Sequence, residues 1–561
     1  MNSVANLTNL ENITAKTARE IITYLLKHPK TTKKQLTAIK CQIGKKYHFP
    51  SVIRNSQILN YATEEEQIKL RHILRRRLTR TLSGVSIVAV MTAPNPEGSK
   101  SCPGECIFCP GTDSQPNQKV AQSYTGREPA AMRSTMYHYD SYEQTLHRLI
   151  DLQQIGHQVD KIELIIMGGT FLYAPISYQN KFMHGCFDAI LNFRAPDYNH
   201  HQRTPDLETA KKLLESAQTR LIGITFETRP DYCFEEHIDR LLELGITRIE
   251  IGVQTTRPEI LAYVHRNHTV EDSIRAIQVA KDSGIKVNCH MMPNLPLSSP
   301  KMDKEVFQEL FENPNFRPDM LKIYPTLVIA GTELYKLYQL GQYQPYSESK
   351  IVSVIANLKN NIPYYVRIQR IQRDIPMDLI VDGVKHSNLR QNVQRYMASH
   401  GMHCKCIRCR EEGFQSLSAG TVSNPVDLSD IQFFHNIYEA SGGEEHFFSF
   451  ENPSRTILIG YLRLRFPSRN SHRPEITAQK SAIVREIRVV GEIVQYNKEP
   501  HANQIQHRGF GKKLMKKAEE IARDHGVQKI LVIAGIGVKE YFYRLGYRTD
   551  GPYVSKTLTE M

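Results

Sequence analysis

From residue 83 to about residue 328 the chain alternates short apolar runs with amphipathic helical patterns, and few architectures accept that alternation. The apolar runs are 83–94 (SGVSIVAVMTAP), 161–169 (KIELIIMGG), 220–228 (RLIGITFET), 248–255 (RIEIGVQT), 286–293 (KVNCHMMP) and 320–328 (MLKIYPTLV). Helical patterns lie between most of them, among them 141–156, 234–245 and 269–284. Strand and helix alternating at this spacing predict a parallel α/β sheet, closed or partly closed into a barrel. In such barrels the chemistry sits at the C-terminal ends of the strands.

A length of 561 residues leaves room for further domains. No run is long and apolar enough to span a bilayer. The first twenty residues lack an apolar stretch after basic residues, so no signal peptide is expected and a cytoplasmic protein is. Six of the ten cysteines fall in two tight groups, Cys102/Cys106/Cys109 and Cys404/Cys406/Cys409. In a reducing compartment such spacing reads as metal ligation rather than a disulfide framework. Cys41, Cys186, Cys233 and Cys289 are scattered and read as small buried apolar residues.

The net charge of +14 is unevenly placed: residues 1–84 carry sixteen Lys and Arg against five Glu and no Asp, so 16 − 5 = +11. A basic segment suits a polyanion, with nucleic acid the leading candidate. Its sharpest part is 69–80 (KLRHILRRRLTR). On a helix Ile73, Leu74 and Leu78 share a buried face while Arg71, Arg75 and Arg76 point elsewhere; Arg77 and Arg80 complete the candidate nucleic-acid-binding set. A solvated helix face is the plainer reading. Lys27, Lys30, Lys33 and Lys34 add charge in the same region.

The first cysteine group, CPGECIFCPG at 102–111, has the spacing C-x3-C-x2-C and follows the first strand. Three thiolates hold three irons of a [4Fe–4S] cluster and leave the fourth open, here for the amino and carboxylate groups of S-adenosylmethionine (SAM). A zinc knuckle is the alternative. The arrangement resembles the radical SAM superfamily, whose cluster loop follows the first barrel strand. Gly168, Gly169 and Thr170 in MGGTF resemble its glycine-rich SAM motif, and the glycines permit close backbone approach. Glu227 and Arg229, at the next strand end, would bind a zwitterion or simply pair with each other. Gln254 is a further SAM candidate. The second group, 403–411 (HCKCIRCRE), reads as a structural zinc clip of Cys404, Cys406 and Cys409, with His386, His400 and His403 open as fourth ligand.

Beyond about residue 413 strands at 456–466 and 482–494 precede QHRGFGKKLMKKAEEIARDHG, 506–526. Q-x-x-G-x-G before an amphipathic helix leaves backbone N–H groups free for a pyrophosphate, and Arg508, Lys512 and Lys513 add positive charge. Followed by a strand (529–535) and YFYRLGY (541–547), this order resembles the GNAT acetyltransferase fold.

A radical SAM barrel followed by a GNAT domain resembles one family, the catalytic subunit of Elongator and the tRNA uridine acetyltransferases. The segments 49–59, 123–133, 159–171, 385–392 and 458–465 look like family segments. The resemblance implies that Cys102, Cys106 and Cys109 hold the cluster. It implies that Lys161 contacts acetyl-coenzyme A from the barrel side, and that Glu486, Ile487, Arg488 and Val489 form the strand beside the pantetheine arm. Gln506, Arg508, Gly509, Phe510, Gly511 and Lys512 would form the pyrophosphate turn, with Tyr541 and Phe542 near the acetyl group. Lys161 and Tyr541 are then the catalytic candidates. Phe542 departs from the second of two family tyrosines, so a role for that hydroxyl either falls to Tyr543 or is lost. The cysteine spacing in both groups is closer to the archaeal and bacterial members.

The expected architecture is therefore a basic helical N-terminal segment (1–82), a radical SAM partial (β/α) barrel (83–365), a metal-binding linker (366–412) and a GNAT α/β domain (413–561). The implied reaction uses an adenosyl radical to take hydrogen from the acetyl methyl group, adds the carbon radical to C5 of the wobble uridine, and hydrolyses the thioester to leave a carboxymethyl group. The implied partners are the tRNA anticodon loop and an electron donor for the cluster; a homodimer is compatible. Two other readings are a lysine acetyltransferase with a purely structural cluster and a non-catalytic tRNA-binding module.

Overall fold

The computed structural model describes residues 2–49, 52–53, 55–74, 84–111, 119–194, 203–414, 428–490 and 508–558. Four helices come first: α1 (Asn2–Lys27), α2 (Lys33–Lys46), α3 (Asn55–Asn60) and α4 (Glu64–Leu74). They enclose a small core of their own, with Ile21, Ile22, Leu25, Ile58, Leu70 and Leu74 buried. Thr32 caps α2 through a reciprocal box with Gln35. Part of the local charge is already paired, Arg19 with Glu66 and Lys46 with Glu20. Of the candidate tRNA-binding residues, Arg71 lies in α4; its side chain and the whole of Arg75, Arg76, Arg77 and Arg80 lie outside the described residues, as does Leu78. Ile73 and Leu74 are buried as the helical pattern requires.

The barrel sheet has seven strands in simple sequence order, all parallel: β1 (Ser86–Met91), β2 (Lys161–Met167), β3 (Arg220–Thr228), β4 (Arg248–Gln254), β5 (Lys286–Met291), β6 (Met320–Ile323) and β7 (Arg367–Arg370). β1 and β7 do not pair with each other among the described residues, so the barrel is partial. Helices with side-chain N-caps, such as Ser141–Gln154 (Asp140) and Val270–Asp282 (Thr269), cover the outer face and bury Leu146, Leu149, Ile277 and Ala280. β7 lies past residue 365, so the barrel extends into the segment expected to be a linker. Its cysteine-bearing stretch is not a loose connection either: Cys406 and Ile407 are wholly buried in the barrel core.

The C-terminal domain is a second seven-stranded sheet, ordered β8–β9–β10–β11–β12–β14–β13: β8 (Gln432–Ala440), β9 (Gly443–Glu451), β10 (Leu458–Phe466), β11 (Ser481–Val489), β12 (Lys529–Val532), β13 (Arg548–Asp550) and β14 (Tyr553–Thr557). Side chains alternate faces along a strand. Accordingly Leu462 and Leu464 pack with Leu514 and Ala518 of helix Phe510–Asp524, while Tyr461 joins the barrel core with Phe447 and Ile483. The intervening Arg463 and Arg465 are fully buried against the barrel. The domain docks at the N-terminal ends of the barrel strands. A Cβ on Gly537 would meet Leu221 N at 2.6 Å, and one on Gly284, just before β5, would meet Ile483 at 2.9 Å. No helix of the described residues is long and apolar enough to cross a membrane.

Candidate functional site

The cysteine loop sits at the C-terminal end of the sheet. Thr92 extends the β1–β2 pairing by one bond to Met167, and the chain then turns back so that Thr170 N–H donates to the Ser101 carbonyl (2.9 Å). Cys102 is buried, with Thr170 Oγ1 and Gly104 N–H donating toward its sulfur at 3.3 and 3.4 Å. Arg266 Nη1 lies 3.3 Å from Cys106 Sγ. Burial pushes the Cys109 thiol up, and the neighbouring Cys106 and Cys102 push the same way. Among the described residues three Cys, His, Asp or Glu ligand atoms converge within 4.8 Å at Cys404/Cys406/Cys409 and at two other places, but not at Cys102/Cys106/Cys109. One tetrahedral ion draws its donors close together; a cluster spreads its thiolates more widely.

The two glycines have a specific task. Gly168 (φ +113°) and Gly169 (φ +95°) both lie in the left-handed region, and a Cβ on Gly169 would meet the Ser101 carbonyl oxygen at 2.5 Å. The group that approaches Gly169 so closely is the cysteine loop's own backbone, whereas Gly168 is approached by Thr92 at the end of β1. Gly169→Ala should therefore displace that loop and destabilise the protein by about 1–3 kcal/mol, the order of a strained backbone position. Thermal unfolding and the iron content after anaerobic reconstitution read the two effects.

Glu227 and Arg229 do not pair with each other. Glu227 accepts from Tyr124 OH (2.6 Å) and faces Lys322 (3.7 Å). Arg229 is bound by Asp231 through Nε and Nη2, both at 2.9 Å. Its Nη1 points against Gly104 and has no hydrogen-bond partner among the described residues. Gln254 Oε1, Arg266 Nε and His268 Nε2 are likewise buried and unpartnered there. Buried polar groups are normally satisfied. Orphaned groups on residues at the cysteine loop and on the chain following β4 fit a polar ligand seated beside the sulfurs, and the SAM amino and carboxylate groups suit them.

A ladder of charged residues lines the barrel interior. Arg248 Nη1 is 2.6 Å from Glu163 and Arg248 Nη2 is 3.5 Å from Glu250. Glu250 also accepts from His290 (3.0 Å) and from the Lys322 ammonium, and Lys322 in turn faces Glu227. Burial alone would push the Glu250 carboxyl up; Lys322, His290 and Arg248 outweigh it and hold the group well below its ordinary range. Lys161 stands two residues before Glu163 on the same face of β2, at the end of the ladder nearest the GNAT domain. Its register partner Arg220 abuts Gly537. Burial, then Arg220, lowers the Lys161 ammonium below the usual lysine value. The sequence reading missed the ladder and Arg266. The available signal was charge inside otherwise apolar runs (Arg248, Glu250, His290, Lys322).

In the GNAT domain β11 pairs with β12 only as far as Val484 opposite Val532. On its other side the register skips Arg485 as a bulge, with Arg463 opposite Glu486 and Leu464 opposite Val484. Among the described residues the backbone of Glu486, Ile487, Arg488 and Val489 is thus left without a strand partner toward β12, a place where an extended amide chain can add. The Glu486 side chain points to the barrel, accepting from Tyr461 OH (3.0 Å) and Arg463 Nε (2.9 Å). Gly509 (φ +83°) caps the helix Phe510–Asp524, whose first N–H groups face outward at Phe510, Gly511 and Lys512. Arg508 is exposed beside it; Gln506 lies outside the described residues. A Cβ on Gly511 would lie 3.1 Å from Tyr541 OH, so that hydroxyl is next to the turn.

Phe542 is 3 % exposed, in the domain core against Tyr547, and has no hydroxyl to offer at the acetyl end. Tyr543 does not replace it: its hydroxyl is engaged by Thr549 (2.9 Å) and by Glu215 of the barrel (3.2 Å).

Cys404, Cys406 and Cys409 form a compact group, and the buried Lys359 ammonium is 3.6 Å from Cys409 Sγ. None of the three histidine candidates joins it in the described residues. His386 faces Glu348 (3.9 Å), His400 Nδ1 bonds the Tyr396 carbonyl (2.8 Å), and His403 is held through its backbone by Asn360.

Comparison with known proteins matches this architecture part by part. The Radical SAM superfamily model matches residues 97–310, the Radical_SAM C-terminal domain 318–399, the GNAT acetyltransferase family 424–547 and the ELP3 N-terminal domain 14–82. The tRNA uridine(34) acetyltransferase of Methanocaldococcus jannaschii is 48 % identical over 506 residues, 90 % of either chain. Elongator complex protein 3 of Schizosaccharomyces pombe is 41 % identical over 556 residues, 98 % of this chain and 99 % of that one. The solved structure of archaeal Methanocaldococcus infernus Elp3 lacking residues 1–46 superposes with a TM-score of 0.73 at 43 % identity, covering 85 % of this chain and all of that one. With both catalytic units present in the same order and similarity running through nearly the whole length, the chain belongs to the tRNA uridine(34) acetyltransferase and Elongator protein 3 family of radical SAM–GNAT enzymes.

Proposed function

We propose that this protein modifies the wobble uridine of tRNA, placing a carboxymethyl group on C5 with a carbon unit drawn from acetyl-coenzyme A. The observation that carries this reading is the charged ladder, because it joins the two ends of one partial barrel. The cysteine loop lies at the C-terminal ends of the strands and the GNAT domain at their N-terminal ends, with Glu163, Arg248, Glu250, Lys322 and Glu227 between them. A lysine acetyltransferase with a structural cluster has no use for a polar interior connecting its two halves.

When bound, the cluster and SAM supply one-electron chemistry at carbon and acetyl-coenzyme A supplies the two-carbon unit. Cys102, Cys106 and Cys109 would hold the cluster. Gly168, Gly169 and Thr170 fix the loop that carries it. Arg229, Gln254 and Arg266 present the unpaired polar atoms that SAM would satisfy. The open edge Glu486–Val489 and the turn Gly509–Lys512 would bind the pantetheine arm and pyrophosphate. Tyr541 and Lys161 would orient the acyl end, Lys161 at the mouth of the interior. Three converging thiols balanced by Lys359 suit structural zinc at Cys404, Cys406 and Cys409. The basic N-terminal region, with Arg71, Arg75, Arg76, Arg77 and Arg80, would bind the phosphates of the RNA, and the unpaired anticodon loop would present its base.

The test is an anaerobic assay of reconstituted protein with tRNA, SAM and acetyl-coenzyme A, with and without dithionite, analysed by nucleoside mass spectrometry. A carboxymethylated uridine that requires reductant is expected. Lys161→Ala should lower its yield while leaving the cluster absorbance unchanged. Reductant-independent acetylation of protein, with no modified nucleoside, would sink the reading.

A further inference from the structure

Another set of metal-ligating side chains lies in the GNAT domain, apart from the cysteine groups and the helix turn at Gly509. β9 carries Glu444 and His446 two residues apart, on one face of the sheet. The helix Phe510–Asp524 ends beside them, and its C-cap residue is His525. One ligand atom from each of Glu444, His446 and His525 lies within 4.8 Å of the other two. Glu444 Oε1 is 2.7 Å from His446 Nε2 and 3.7 Å from His525 Nε2. Ligands at zinc–nitrogen and zinc–oxygen distances in a tetrahedral site stand about 3.3 Å apart, between those two values. Sub-ångström shifts would seat an ion.

The opposite ring nitrogens are already committed. His525 Nδ1 is 2.8 Å from the Ile521 carbonyl, so it carries the proton and leaves the Nε2 lone pair toward Glu444. His446 Nδ1 is 2.9 Å from His435 Nε2, which is able to accept its proton. Metal-bound histidines are held in this manner, with the far nitrogen donating to an outer partner. His446 is buried, Phe466 stacks on His525 at 4.4 Å, and Phe448 lies edge-on to His435 at 4.7 Å.

The contrast with the barrel interior is informative. Glu227, Glu250 and His290 converge equally well, but there the Lys322 ammonium lies against both carboxylates and takes the cation's place. Among the described residues no lysine or arginine pairs with Glu444.

We infer that Glu444, His446 and His525 bind one divalent first-row transition ion, of the zinc class, with His435 as the outer partner of His446. Two imidazoles and a carboxylate are a borderline donor set suited to zinc or cobalt, and a fourth position remains for water. The ion ties β9 to the C-terminal end of the helix that opens at Gly509.

Full-length protein without an affinity tag decides this. Zn2+ content after dialysis, the Co2+ absorption spectrum and the Zn2+-induced change in melting temperature are compared for wild type, Glu444→Gln and His525→Gln. The expected result is one fewer equivalent of zinc in each variant, loss of a cobalt d–d component that lacks thiolate charge transfer, and loss of the zinc-induced stabilisation. The equivalents held by cysteines remain. Unchanged metal content and spectra in both variants would overturn the inference. Both substituted side chains are exposed, so folding is expected to persist; if a variant does not fold, a wild-type spectrum with only thiolate-ligated cobalt overturns it alone.

Discussion

Replacing Cys102, Cys106 and Cys109 together by alanine should reduce uridine modification below detection while acetyl-coenzyme A still binds. The loss is total because thiolate is the soft donor that iron–sulfur clusters need, and Cys233, which follows β3, is fully buried in the apolar core. Folding should survive. Cys106 and Cys109 are half-buried, and the loop is also anchored by the Ser101–Thr170 bond and by Gln122, which donates to the Gly104 carbonyl at 2.7 Å. The GNAT core around Leu462, Leu514 and Val554 shares no side chain with the loop. Iron and sulfide content, calorimetric binding of acetyl-coenzyme A and nucleoside mass spectrometry measure the three quantities separately. Retention of the iron–sulfur spectrum would remove the cysteine assignment; retention of modified nucleoside without the cluster would remove the radical mechanism.

The parts legible in the sequence were those whose physics is local. The first six barrel strands read directly because apolar residues recur along them at strand spacing, as Ile249, Ile251 and Val253 do in 248–254 and Ile162, Leu164 and Ile166 in 161–167. The cysteine spacing and the glycine turn before helix Phe510–Asp524 are local too. β7 was missed because Arg367–Arg370 is four residues with an arginine at each end. One of these, Arg367, is buried only through its pair with Glu411, 44 positions away. β8 and β9 mix charged and aromatic residues, since one face of β9 meets another domain. The interior ladder needed the barrel's curvature: Arg248 and Glu250 face inward together only once the sheet closes around them.

Arg485→Met should lower the melting temperature of the GNAT domain by roughly 6–20 °C, from the cost of breaking a buried ion pair, about 3–5 kcal/mol, in a unit of roughly 150 residues. The interface between barrel and GNAT domain holds Lys281, Arg463, Arg465 and Arg485 against Asp282, Asp319, Glu445 and Glu486, all of them buried. Arg485 is its hub. It donates to Asp319 through both terminal nitrogens (2.9 and 2.5 Å), to Glu445, and to the Ile285 carbonyl (2.8 Å). Methionine preserves bulk but leaves the desolvated Asp319 and Glu445 carboxylates with only Lys281, Arg463 and Arg465 as cations among the described residues. A buried network of this kind contributes less to net stability than an apolar interface would, yet losing one member costs heavily. It does fix register: only one docking orientation satisfies every charge. Acid should act in the same direction. Burial alone would push the Asp319 and Glu445 carboxyls up, but Arg485 and Lys281 outweigh it and hold both below their ordinary values. Their stabilisation is present above the ordinary carboxylate range and is lost as the pH falls below it. Calorimetry of wild type below pH 4 should therefore approach the behaviour of Arg485→Met at neutral pH, with the single transition splitting as the domains uncouple. A variant that melts within 2 °C of wild type, roughly the shift from 1 kcal/mol or less, would show that apolar contacts such as Ile483 and Tyr553 against Gly284 hold the domains together without help from the charges.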